Sequence, residues 1–132
     1  MIGEFPRQAF PDLHERLALA PGPSGGEGPR RQVIETHLAG LGVAFRTDAA
    51  GNLWVDLGPS GSWADTLVLD AHMDVVERGF AERLLRENDC LAGLGVGDNL
   101  AAVAMLALAL RPLAAAAPWL RRPLSILFSV GE

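Results

Sequence analysis

Thr66-Leu67-Val68-Leu69-Asp70-Ala71-His72-Met73-Asp74 is the stretch that decides the fold. From Thr66 to Ala71 it is nearly continuous in apolar character, the pattern of a central strand covered on both faces, and His72 stands at its carboxyl end. In open α/β sheets ligands bind beyond the carboxyl ends of the strands, so a histidine there is a candidate functional group. Downstream, the wholly apolar run Leu100 to Leu110 predicts a covering helix, and Leu124 to Val130 a second buried strand that leads into Gly131-Glu132.

Upstream, Leu13, Leu17 and Ala20 recur at helical spacing among Asp12, Glu15 and Arg16, which predicts a helix over 10–19 that Pro21-Gly22-Pro23 terminates. A glycine-rich loop, Ser24 to Gly28, follows. Pro29 suits a first helical turn, and Val33, Ile34, His37, Leu38 and Leu41 mark the face of a second helix that stops at Gly42. Short β-like runs cover Val43 to Arg46 and, after the Ala50-Gly51-Asn52 turn, Asn52 to Leu57. Helices alternating with buried strands make an α/β layered domain.

Composition narrows the function. With 132 residues the chain is one domain or part of one, and a net charge of -5 with scattered basic residues argues against nucleic acid as a partner. All eleven basic residues are arginine, which removes Schiff-base, pyridoxal phosphate and P-loop lysine chemistry. The single Cys90 cannot form an internal disulfide, and Met1 to Pro6 lacks a basic segment followed by an apolar stretch, so a cytoplasmic location is expected. The run Leu100 to Leu110 breaks at Arg111-Pro112, about half the ~20 residues a bilayer span needs, and no membrane association is expected.

Three short motifs could carry chemistry: His72-Met73-Asp74, Gly97-Asp98-Asn99 and Gly131-Glu132. An imidazole is a better metal ligand when its other ring nitrogen donates to a carboxylate, which fixes the tautomer and raises basicity; His72 and Asp74 have the spacing for that. Asp98 follows glycines at 93, 95 and 97, which permit close backbone approach, and it directly precedes the apolar helix, where an aspartate often serves as a cap. Taken singly, His72 reads as a core histidine, Asp74 as a turn residue and Glu132 as a solvated end; together and in this order they read as a metal site. His14 and His37 lie among charged residues and read as surface or boundary groups.

Leu67 to Val76, then Leu91-Ala92-Gly93-Leu94-Gly95-Val96-Gly97-Asp98-Asn99, then Phe128-Ser129-Val130-Gly131-Glu132, resemble the M20 family of zinc metallopeptidases and related amidohydrolases. Pro23-Ser24-Gly25 with Glu27, and Gly51-Asn52-Leu53 opening a strand, fall where that family has similar sequences. The resemblance implies a three-layer α/β/α fold with a mixed, mostly buried sheet, of which residues 1–132 form a single partial catalytic domain, without the lid or dimerisation domain and the C-terminal half. It implies that His72 binds one zinc ion, Asp74 orients His72, Asp98 bridges two ions, and Glu132 is the general base of a reaction that cleaves a peptide or N-acyl amide bond. Two Zn2+ ions complete such a site, and Co2+ or Mn2+ suit similar ligands. It further implies a non-proline cis peptide at Asp98-Asn99.

The second glutamate of the family's Glu-Glu pair does not follow Glu132, and the downstream ligands are absent from the sequence. Weak zinc binding and no turnover are therefore expected of this chain alone, with a small peptide or N-acyl amino acid as the parent's substrate. Val75 and Asn99-Leu100 depart from the family's frequent residues without touching a ligand position. Uncovered strand edges would favour self-association. The competing expectation is a naturally short, non-catalytic M20-like binding or assembly module.

Two motifs from other mechanistic classes fail on context. Gly22-Pro23-Ser24-Gly25-Gly26 matches the G-x-S-x-G nucleophile elbow, but that elbow needs a strand before the serine, whereas Leu13 to Ala20 has helical period. The glycines at 93, 95 and 97 would need a further glycine at 98 for a dinucleotide fingerprint, and Asp98 stands there instead.

Overall fold

The computed structural model describes residues 3–76 and 84–131. Helix α1 (Phe10–Leu19) and helix α2 (Gly28–Leu41) form where the apolar spacing places them, each with a proline in its first turn. Gly42, at φ 68°, closes α2 by donating its N–H to the Ala39 and Leu38 carbonyls. Strands β1 (Arg46–Thr47), β2 (Leu53–Leu57), β3 (Leu67–His72), β4 (Leu85–Glu87) and β5 (Cys90–Ala92) follow. A short helical turn (Val96–Leu100), helix α3 (Ala101–Ala116) and strand β6 (Leu124–Ser129) complete the chain.

The main sheet has the order β1-β2-β6-β3, antiparallel through β6 and parallel between β6 and β3. This is the mixed α/β sheet that the sequence implied. Register pairs Leu69 with Ile126, Ala71 with Phe128 and His72 with Ser129, so the carboxyl ends of β3 and β6 lie side by side. Leu53, Val55, Ala71, Ile126 and Phe128 share one core with Leu13 and Leu17 of α1, Ile34 and Leu38 of α2, and Val103, Ala107 and Leu108 of α3. His37 sits at the edge of that core beside Ala107, where burial lowers its pKa.

Three expectations are corrected. First, β3 is an edge strand rather than a central one, with Leu67 59% and Leu69 37% exposed. A continuous apolar run records what a strand can bury, and strand order is decided by pairing, which the run does not encode. Second, Arg111-Pro112 does not end the apolar helix. Proline removes one helical N–H, yet Leu110, Pro112 and Ala116 are buried and packing carries α3 past it. The helical run Val96–Trp119 is thus 24 residues at mean hydropathy 2.0, long and apolar enough by those measures to cross a membrane, but Val103, Ala104, Ala107 and Leu110 are fully buried as its contribution to the core. Third, His14 is buried, 8% exposed, with its Nε2 2.8 Å from the Val96 carbonyl, and it ties α1 to the turn that precedes Asp98.

The β4–β5 hairpin was not foreseen. Its signal is Asn88-Asp89 between two short runs: both residues adopt left-handed backbone, φ 48° and 63°, which these two side chains tolerate better than most in a tight hairpin turn.

Candidate metal centre

β3 delivers His72 to the end of the sheet, and the chain beyond it is pinned residue by residue. The Met73 N–H donates to the Ser129 carbonyl at 2.8 Å, and the Val75 N–H to the Gly22 carbonyl at 2.9 Å, where Pro23 and Val75 form an isolated parallel bridge. Between those ties lies Arg30, fully buried. Its Nη1 donates to the Met73 carbonyl at 2.8 Å and the Gly22 carbonyl at 3.3 Å, and its Nε to Ala20 at 2.9 Å and Leu17 at 3.3 Å. One guanidinium thereby joins the end of α1, the glycine-rich loop and the His72–Asp74 segment, a task suited to its rigid fork of donors.

Asp74 is 3% exposed, with Oδ1 3.4 Å from His72 Nδ1; the Asp74 carbonyl lies 3.2 Å from the same nitrogen. Ser24 Oγ donates to Asp74 Oδ2 at 2.6 Å. On the other side of the ring, His72 Nε2 stands 3.2 Å from Asp98 Oδ1. His72 and Asp98, 26 residues apart (98 − 72), are brought together as expected.

Asp98 sits in the Val96–Leu100 turn, where its backbone (φ -121°, ψ 94°) leaves the helical region, and the Asp98-Asn99 peptide is cis, as the resemblance implied. The capping role is not the one observed: α3 has no side-chain cap, and the Asp98 side chain is 92% exposed with one oxygen toward His72. Of the neighbouring glycines, Gly95 meets the expectation of close approach. At φ 75°, a Cβ there would stand 2.2 Å from Val75 Cγ1, so Gly95 lets the Asp98 turn lie directly on the His72–Val75 segment. Gly97 has open space around it and needs no such explanation.

The end of β6 is anchored in turn. Glu27, 6% exposed, accepts the Gly25 N–H at 2.9 Å and the Gly131 N–H at 3.1 Å on one oxygen. Asn52 Oδ1 accepts the Val130 N–H at 2.9 Å. Asn52 is itself held by Asp48, whose carboxylate collects the N–H groups of Ala50, Gly51 and Asn52, the Asn52 amide and the Trp54 indole. The Trp54 and Asn52 donors hold the Asp48 pKa down to about 2. Glu132 lies outside the described residues.

Two zinc ligands on one tetrahedral ion with bonds near 2.1 Å stand about 3.4 Å apart. The observed 3.2 Å between His72 Nε2 and Asp98 Oδ1 fits that edge, and both atoms open into a cavity of about 190 Å³ lined also by Asp74, Val75, Val76, Leu94 and Gly95. The donor chemistry fits a zinc-like ion; the donor count does not complete one, because among the described residues no three His, Cys, Asp or Glu side chains converge. The nucleophile-elbow alternative fails on geometry, since Ser24 follows a helix and a loop and spends its hydroxyl on Asp74. Sequence reasoning noted Ser24 and Glu27 only as a loop where the M20 family has similar sequences, without a role, and missed Arg30 and Asp48 altogether.

Residues 68–132 match the model of peptidase family M20/M25/M40. That match lays the M20 pattern over residues 68–132, just under half of the chain. Among solved structures, a tripeptidase from Staphylococcus aureus subsp. aureus Mu50 superposes with a TM-score of 0.73 at 19% identity, over 98% of this chain and 38% of that one. Aminopeptidase PepT from Bacillus cereus gives 0.71 at 21% identity over 98% and 38%, and aminoacylhistidine dipeptidase from Vibrio alginolyticus 0.62 at 21% over 100% and 29%. At these identities the likeness speaks for the fold. The chain spans less than two fifths of the length of each of the three. A search of curated protein sequences returns no match.

Proposed function

We propose that this chain is part of an M20 peptidase and contributes the His72, Asp74 and Asp98 portion of a dinuclear zinc centre in a hydrolase of peptide or N-acyl amide bonds. The observation that carries the reading is the convergence of His72 Nε2 on Asp98 Oδ1 at 3.2 Å, with the buried Asp74 carboxylate on the opposite ring nitrogen. A proton on Nδ1 facing Asp74 would turn the Nε2 lone pair toward the same space as the exposed Asp98 carboxylate, and these donors together would hold a cation. Zinc held by these residues would supply Lewis acidity toward the scissile carbonyl and toward water, and Co2+ or Mn2+ would suit the same donors. Glu132 is assigned the proton transfers, as general base and then as acid toward the leaving amine. Peptides are the favoured substrate class, because structures sharing the fold are described as a tripeptidase, an aminopeptidase and a dipeptidase.

With His72 and Asp98 as its two first ligands, the 132-residue chain alone is proposed to bind zinc weakly and to lack turnover. Calorimetric titration with Zn2+ and Co2+, beside His72→Ala and Asp98→Ala, tests this. Weak binding abolished by either substitution supports the assignment; two tightly bound ions with hydrolysis of peptides would overturn the claim of incompleteness, and binding indifferent to both substitutions would overturn the site.

A further inference from the structure

Ser24 is the residue of this neighbourhood that neither fold nor ligation accounts for. It lies on a loop built with unusual completeness for a connection between two helices. Gly22 accepts from Val75 and from Arg30, Pro23 bridges to Val75 and accepts the Gly26 N–H at 2.7 Å, Gly25 turns at φ 82°, and its N–H is held by the buried Glu27 carboxylate. The Gly22 and Pro23 ties fix the loop against Val75 and Arg30, Glu27 links it through Gly131 to the end of β6, and the Gly26 and Gly25 bonds close it on itself. The outcome is one short contact: Ser24 Oγ on Asp74 Oδ2 at 2.6 Å, with Asp74 Oδ1 turned to the imidazole.

We propose that Ser24 is a positioning residue that acts through Asp74 to set the orientation and tautomer of His72, and that the Gly22–Glu27 loop exists to hold it there. The carboxylate rotates about its last torsion in a broad well, so a buried Asp74 needs a fixed donor on one oxygen for the other to keep a defined direction toward His72 Nδ1. Ser24 supplies that donor from outside the strand that carries Asp74. This rests on the reading of His72 as a ligand for its purpose, but its geometry stands without a metal.

The test is made on the metal-free chain. Long-range proton–nitrogen NMR of the imidazole, at a pH where the ring is neutral, reports the ratio of Nδ1–H to Nε2–H forms of His72. Asp98 Oδ1, 3.2 Å from Nε2, would favour the other form, so the parent for this comparison carries Asp98→Ala, and in it the Nδ1–H form should dominate. Ser24→Ala should lower the ratio about three- to ten-fold, the loss of roughly one hydrogen bond, and Ser24→Thr, which keeps the hydroxyl, should restore it. Asp74→Ala sets the scale with a shift at least as large. An alanine variant that is folded, with the parent's circular dichroism, and keeps the parent's ratio would overturn the proposal, as would a folded threonine variant that behaves like alanine. Failure of the metal-site reading would show separately, as Co2+ titration of the chain with Asp98 intact that leaves the His72 signals unmoved while the Ser24→Ala shift persists.

Discussion

Replacing Arg30 by alanine should destabilise the chain by about 3–5 kcal/mol. Arg30 is fully buried and donates four hydrogen bonds, to the carbonyls of Leu17, Ala20, Gly22 and Met73. Leu17 and Ala20 lie at the end of α1, where carbonyls have no helical partner, and Met73 joins His72 to Asp74. Each charge-assisted bond contributes roughly 1.5–3 kcal/mol, but the four share one guanidinium and do not add, so the truncation is better measured by the 3–5 kcal/mol typical of removing one partner from a buried charged network. The cavity left by the side chain acts in the same direction. Against a total stability of about 5–15 kcal/mol for a single domain, that is at least a fifth, and the melting temperature should fall by roughly 10–20 °C. Urea denaturation followed by tryptophan fluorescence and by circular dichroism measures the loss, and an unchanged m-value shows that the same transition is observed. Arg30→Lys should recover only part of it, because an ammonium cannot span carbonyls from three segments. An alanine variant within 1 kcal/mol of the parent at equal m would refute the role given to Arg30.

Gly95→Ala should cost about 2–4 kcal/mol, from the left-handed backbone and from the 2.2 Å approach of its Cβ to the stiff Val75 side chain; Val75→Ala in the same chain should relieve the steric part, and strictly additive losses in a double-mutant cycle would refute the contact. Asp48 has its pKa depressed in the folded state from 3.8 to about 2, so its ionised form stabilises above pH 3.8 and that stability disappears as pH falls from about 3.8 to about 2; Asp48→Asn should flatten the acid limb of a stability–pH curve across that window, and an unchanged limb would contradict the assignment. The outer edge of β3, which pairs with no other strand among the described residues and leaves Leu67 and Leu69 exposed, should make the chain self-associate above its 14.0 kDa monomer mass in light scattering, and Leu69→Lys should reduce this; a monodisperse monomer at high concentration would argue against it.

The site was legible in the sequence where chemistry is local or carried by motif. His72 and Asp74 are two residues apart on the end of an apolar strand, and the resemblance supplied Asp98 and the cis peptide that follows it. The α/β class was legible for the same reason: Leu13 and Leu17, or Ile34 and Leu38, repeat at the period of the helix that buries them. What escaped is what depends on partners distant in sequence. Nothing in Pro29-Arg30-Arg31 separates the arginine that is fully buried from the one beside it that pairs with Glu35, because the difference lies in carbonyls from residues 17, 20, 22 and 73. The strand order likewise depends on β6 inserting between β2 and β3, a choice made by pairing across more than 50 residues. Asp48 was within reach: an aspartate followed by Ala-Ala-Gly-Asn is a turn that satisfies its own amides.

The arrangement separates what holds the centre from what would react in it. Three contacts hold the segments that carry His72 and Asp98: the Arg30 guanidinium on the Met73 carbonyl, the Gly22 carbonyl on the Val75 amide, and Gly95 beneath the Val75 side chain. None passes through the imidazole or through the Asp98 carboxylate, which is 92% exposed and contributes nothing to the core. An exposed carboxylate with no capping role, carried on a turn seated so closely that one neighbouring position must be glycine, is a poor use of structure if folding is its only purpose. Stability would be served as well by asparagine or serine at 98 with a regular helix start. The fold instead spends a buried arginine and a left-handed glycine on placing that oxygen 3.2 Å from a histidine, which is the physical ground for reading the pair as functional.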